Sequence, residues 1–289
     1  MNIIKTTLGM AMLFALFMAI GQMLGGQSGA TIGFAFALIM NFGAYWFSDS
    51  IALMSSGAVP VAEPEAPELY AMVRHLAEKA NLPTPRIYRI PTEQPNAFAT
   101  GRDPAHAAIA VTDGIWRSLS REELEGVLAH ELSHVKHRDT LISTIVATLA
   151  GAIGMVASMA RWAALFGGLL RDDDDDGGPI AALVLMIVAP IAALLIQLAI
   201  SRYREFDADA GAAKITGRPL ALAGALEKIE RIAEGRPLQV NPSFSHLYIV
   251  NPMGGDRLSW LMGLFRTHPP TPERVARLES MAAHMRSDR

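Results

Sequence analysis

The chain has 289 residues, of which 51% are hydrophobic and only 18% charged, and its mean hydropathy is +0.26. Soluble domains carry roughly 25% charged residues, so the composition argues against a wholly soluble or disordered chain. A net charge of −3 gives no electrostatic case for nucleic acid, and with no cysteine any metal must be held by His, Asp or Glu.

A bilayer core of about 30 Å needs roughly 20 apolar helical residues, and four stretches approach that length. The first covers residues 8–24, behind Lys5, and the second covers 30–47 and includes Tyr45 and Trp46, an interfacial aromatic pair. A cleaved signal peptide is the competing reading of the first, but a second span so soon after it suits a helical hairpin. Residues 49–140 read as globular. Pro60, Pro64 and Pro67 mark a linker, and residues 67–81 a helix with Leu69, Met72, Val73 and Leu76 on one face. Residues 86–90 and 107–111 read as short strands, the latter closed by Asp113-Gly114. Ser120 with Glu123 three residues later forms a capping box, opening a helix whose apolar stripe is Leu124, Val127, Leu128 and Val135.

The third and fourth apolar stretches are residues 141–160 and 180–200, the latter containing Pro190. Helices follow to about residue 216, over 219–234, and from about 272 to 285. Residues 256–265, with Leu258, Trp260, Leu261, Met262, Leu264 and Phe265, read as a helix packed on the domain or as an amphipathic flap at a membrane surface. The expected organisation is therefore an N-terminal transmembrane hairpin (1–50), a polar region (51–140), a second hairpin (141–200) and a further polar region (201–289).

If all four stretches span, Lys5, Arg121, Lys136, Arg138, Arg202, Arg204, Lys214 and Arg218 share one side. The opposite connections are an uncharged turn at 25–29 and a loop carrying Asp172 to Asp176. The positive-inside tendency then makes both termini and both polar regions cytoplasmic, with Arg161 as a weak dissent.

The chemistry lies in His130-Glu131-Leu132-Ser133-His134, an H-E-x-x-H pattern. On a helix His130 and His134 leave the same face and can converge on one zinc ion, while Glu131 projects beside it as a general base. Three residues compete to be the third ligand. His137 lies about 10 Å along the axis from His130 on a continuous helix, and Asp139 lies farther still. Glu205 and Asp209 are four apart and share a helix face, so one can hold metal while the other accepts the free N–H of a ligating histidine. A solvated Arg/Glu/Asp cluster is the competing reading of that pair. Two spans between His134 and Glu205 would return the chain to the same side, as a shared site requires.

Together with Glu65 to Tyr70, Asn96 to Gly101, His130 to Asp139, Ser201 to Asp209, and Thr267 to Pro270 with Arg274, these motifs resemble the HtpX-type membrane zinc proteases. That family is related to the prenyl-protein zinc endopeptidases. The resemblance covers nearly the whole chain. It implies a mainly α membrane protein: four transmembrane helices plus a cytoplasmic zincin-like α+β metalloprotease domain with a small β-sheet. It implies one Zn2+ per chain on His130, His134 and Glu205, Glu131 as catalytic base, and Asp209 supporting a ligand. Asn96, His268 and Arg274 are implied to act on substrate or transition state. The implied activity is ATP-independent endoproteolysis in the bacterial inner membrane, with the bilayer and unfolded or damaged membrane proteins as partners. A dedicated prenyl-protease-like processing peptidase, or a non-catalytic membrane module holding zinc, are the alternatives. Nothing in the chain sets an oligomeric state.

Overall fold

The computed structural model describes residues 2–140, 202–235 and 269–287. The third and fourth apolar stretches, residues 256–265 and His268 lie outside the described residues. Residues up to Trp46 belong to one unit, and the described residues from Phe47 onward to a second.

The first unit contains helix α1 (Asn2–Trp46), broken at Gly25 and Gly26, where Gly26 has φ 58°. The break folds the helix back on itself. Phe14 meets Phe34 with ring centroids 5.2 Å apart, and Phe17 meets Phe36 at 4.9 Å. The halves approach so closely that a Cβ on Gly21 would lie 2.1 Å from the carbonyl oxygen of Gly29. The first two apolar stretches thus form one hairpin. Its turn is tighter than the expected 25–29 connection, because only Gly25 and Gly26 leave helical geometry. Counted over fully described residues alone, no helix is long and apolar enough to cross a membrane.

The second unit begins with α2 (Ser48–Ser55) and a two-residue strand β1 (Val59–Pro60). Then come α3 (Pro67–Ala80), β2 (Arg86–Ile90), β3 (Ala97–Thr100), β4 (Ala108–Thr112), α4 (Asp113–Ser118) and α5 (Arg121–His137). Farther along lie α6 (Arg202–Thr216), α7 (Pro219–Gly235) and α8 (Thr271–Ser287).

The sheet has the order β1-β2-β4-β3. β2 and β4 run parallel in register Arg86 to Ala108, while β3 is antiparallel to β4, pairing Ala97 with Val111. Parallel neighbours are usually buried on both faces, and every residue of β4 is buried. One face meets Leu69, Val73 and Leu76 of α3 and Leu128 and Leu132 of α5, and this core continues to Leu226 and Leu278. Phe98, Ala108 and Ala110 point the other way, onto Ala52 and Leu53 of α2. Among the described residues β3 has no strand beyond it, so one row of its backbone groups faces the histidine-bearing helix.

Candidate metal centre

Helix α5 starts where the capping box places it: Ser120 Oγ accepts from the Glu123 N–H, and Glu123 accepts from the Ser120 N–H at 2.7 Å. Glu123 also receives Lys228 of α7 at 2.6 Å, fixing the start of α5 against its neighbour. Burial by itself would raise the Glu123 carboxyl, but Lys228 and the Ser120 N–H hold it below its ordinary value.

The buried face of α5 carries His130 and Glu131 as well as its leucines. His130 is 1% exposed, and its Nε2 lies 3.2 Å from Nε2 of His134, which is one turn on. Glu205, from the first turn of α6, brings Oε2 to 3.7 Å from His130 Nε2 and Oε1 to 3.5 Å from His134 Nε2. These three side chains each offer one ligand atom, all within 4.8 Å of one another, and so form a possible metal site. α6 approaches this closely because Gly211 lies against Ser133: a Cβ there would be 2.4 Å from Ser133 Oγ.

Charge around the three is arranged for a cation. Burial works against a protonated His134, but Glu205, Asp139 and Glu131 overcome it and raise its pKa to about 9. The same carboxylates would favour a cation between the imidazoles, and His134 must give up its proton to hold one.

His130 turns its other nitrogen to Asp209, with Nδ1 to Oδ1 at 2.9 Å. Burial would raise Asp209, but Arg274 and then His130 bring it down to about 2. Arg274 is itself 1% exposed and donates to both Asp209 oxygens. Its Nη2 also sits 3.4 Å from His130 Nδ1. Arg274 therefore lies behind His130, against Asp209.

Glu131 points to the edge of the sheet, where its Oε2 accepts from the Ala99 N–H at 2.8 Å. Asn96 stands just before β3 and is 3% exposed; its N–H donates to Thr112 Oγ1 and its carbonyl accepts from the Thr112 N–H.

Among the third-ligand candidates, the geometry gathers Glu205 and leaves His137 on the exposed side of α5. Two participants were not evident from spacing. The Ala99 N–H has no side chain to betray it. Asp139 comes to 3.2 Å from His134 Nδ1, because Arg138 leaves the helix in left-handed geometry (φ 59°, ψ 33°).

A helix with H-E-x-x-H beside a sheet edge, completed by a carboxylate from a later helix, is the framework of a metal-dependent peptide hydrolase. Comparison with known proteins identifies which kind. The pattern of peptidase family M48 matches residues 63–282. The chain is 55% identical to the protease HtpX homolog of Thermodesulfovibrio yellowstonii over 282 residues, covering 98% of this chain and 99% of that one. The HtpX homolog of Thermococcus kodakarensis is 54% identical over 283 residues (98% and 97% of the two chains). That of Burkholderia multivorans is 53% identical over 291 residues, 99% of each. The chain belongs to peptidase family M48, among its HtpX-type proteases, and is a metallopeptidase. The crystal structure of S. mikatae Ste24p shares the fold with TM-score 0.52 at 18% identity. The match covers 96% of this chain and 65% of that one.

Proposed function

We propose that the protein is a zinc-dependent, ATP-independent endopeptidase of the bacterial inner membrane that cleaves misfolded or damaged membrane proteins. The observation that carries the reading is the convergence of His130, His134 and Glu205 beside Glu131. A tetrahedral zinc at about 2.0–2.1 Å from each ligand sets the ligands about 3.3–3.4 Å apart. The observed separations of 3.2, 3.5 and 3.7 Å suit it. One ion per chain would be held by these three residues, and when bound it would polarise the scissile carbonyl and acidify water.

The chain's own residues do the rest. Glu131 takes a proton from the attacking water and delivers it to the leaving amine. Asp209, fixed by Arg274, accepts the Nδ1–H of His130 and leaves the Nε2 lone pair for metal. A substrate segment adding alongside β3 gains main-chain hydrogen bonds, and Asn96 stands at the head of that edge. His268 supplies a donor to the developing oxyanion.

Four spans carry the domain, with both termini and both polar regions cytoplasmic. In support, the α1 hairpin turns large apolar side chains outward: Ile32, Ile39 and Phe42 are 60–70% exposed. Patches of that kind mark a surface covered by something apolar.

The test is casein cleavage by the detergent-purified full chain with zinc, beside Glu131→Gln. The expected result is a loss of about 10²-fold or more with zinc still bound. Equal cleavage by both proteins overturns the catalytic assignment.

A further inference from the structure

His130 and His134 are handled alike, although only one of the two arrangements is visible in the spacing of the sequence. Each imidazole turns Nδ1 to an aspartate, at 2.9 Å for His130 with Asp209 and 3.2 Å for His134 with Asp139. Each aspartate in turn faces a buried or nearly buried arginine. Arg274 is hydrogen-bonded to Asp209, whereas Arg204 stands only within ion-pair reach: its Nη1 is 3.9 Å from Asp139 Oδ1 and makes no hydrogen bond among the described residues. The four side chains come from three places: Asp139 from the turn after α5, Arg204 and Asp209 from α6, and Arg274 from α8.

The turn that delivers Asp139 is built for it. A straight helix would carry Asp139 away from His134. Arg138 instead takes left-handed backbone geometry at the C-cap, where glycine is the usual residue. Its N–H reaches back to the carbonyls of His134 and Val135. Directly after the turn, Thr140 Oγ1 donates to the Gly101 carbonyl at the end of β3. Asp139 is 3% exposed and Thr140 7%. A non-glycine residue at positive φ persists only where its surroundings over-determine it, which is common at functional sites.

We propose that Asp139, backed by Arg204, is the positioning residue of His134, as Asp209 is of His130. Asp139 accepts the Nδ1–H, fixes the ring and tautomer, and leaves Nε2 facing His130 and Glu205. Removing such a carboxylate typically lowers metal affinity 10- to 100-fold. The inference rests on the reading of His134 as a ligand.

The experiment is zinc affinity of the full chain in detergent, measured by competition with a chromophoric chelator, together with the thermal midpoint of the metal-free protein. Asp139→Ala is expected to weaken zinc by at least 10-fold, whatever fall in the metal-free midpoint the loss of a buried carboxylate brings. Casein kcat should fall with KM held. Should Asp139→Ala fail to fold, Asp139→Asn keeps the volume and one acceptor oxygen, and a several-fold loss is expected. Zinc affinity equal to the parent in the folded variant overturns the proposal, as does a metal-free midpoint that falls without any change in affinity. His134→Ala separates the two readings. If it binds zinc as the parent does, the site assignment itself fails. If it loses zinc while Asp139→Ala does not, only the role of Asp139 fails.

Discussion

Arg274 clasps Asp209 with two hydrogen bonds, Nε to Oδ2 at 2.9 Å and Nη2 to Oδ1 at 2.7 Å, and neither side chain of the pair is more than 3% exposed. Burial opposes the charge of Arg274, and Asp209 more than restores it. A buried pair of this kind is costly to break from one side, because the remaining charge is stranded. Arg274→Ala is expected to lose about 3–5 kcal/mol of stability, measured by denaturant unfolding. Arg274→Lys keeps the charge but not the fork and is expected to lose part of that. An alanine variant as stable as the parent would contradict the pairing.

Metal should stabilise the fold as well as serve chemistry, because it binds residues that only the folded chain brings together. At free zinc 100 times the dissociation constant, the expected gain is about 2.7 kcal/mol. Chelation should reverse it. Glu205→Ala should show almost none, since it deletes one of the three donors. A midpoint indifferent to zinc in the parent would contradict the site.

The contact of Gly211 with Ser133 sets the distance between α5 and α6. A Cβ at Gly211 would meet Ser133 Oγ at 2.4 Å and Ser133 Cβ at 2.9 Å. Gly211→Ala, which by helix propensity alone would gain about 1 kcal/mol, is expected to destabilise by roughly 1–3 kcal/mol through overpacking. It should also weaken zinc, because Glu205 rides on α6. Adding Ser133→Gly removes both clashing atoms, and the double variant should recover zinc affinity. Failure to recover would mean that the helices are spaced by something else.

Acid should loosen the start of α5. Glu123 is held below its ordinary value, so its contribution is fully present above the unfolded pKa of about 4.3 and is lost as pH falls through the lower folded value. The parent should therefore exceed Glu123→Gln in thermal midpoint at pH 7. The difference should shrink as pH drops below about 4.3. A constant difference down to pH 3 would show that the charge on Glu123 is not what links α5 to Lys228.

Local signals carried far in the sequence. The capping box at Ser120 and Glu123 starts α5 as written, since both partners lie within one turn. The leucine stripe of residues 67–81 matches α3, which ends one residue earlier because Asn81 adopts left-handed geometry. The strand expected over 107–111 runs Ala108–Thr112. Long-range features were less legible. β1 is two residues long, and nothing in its composition marks it as pairing with Arg89 and Tyr88. Asn96 to Gly101 stood out as a motif, but not that the Ala99 N–H within it would hold Glu131. Asp139 looked remote because a glycine-free segment reads as continuous helix, whereas an arginine makes the turn.

The Arg274 clasp also has a consequence in time. A polypeptide is made from its N-terminus, and Arg274 follows His130 by 144 residues and Asp209 by 65. While α8 is still unmade, Asp209 has no guanidinium to neutralise it, and His130 lacks a fixed partner. The nascent chain can carry its histidines and its glutamate across the ribosome without a finished peptidase among them. The last helix supplies the final support of His130.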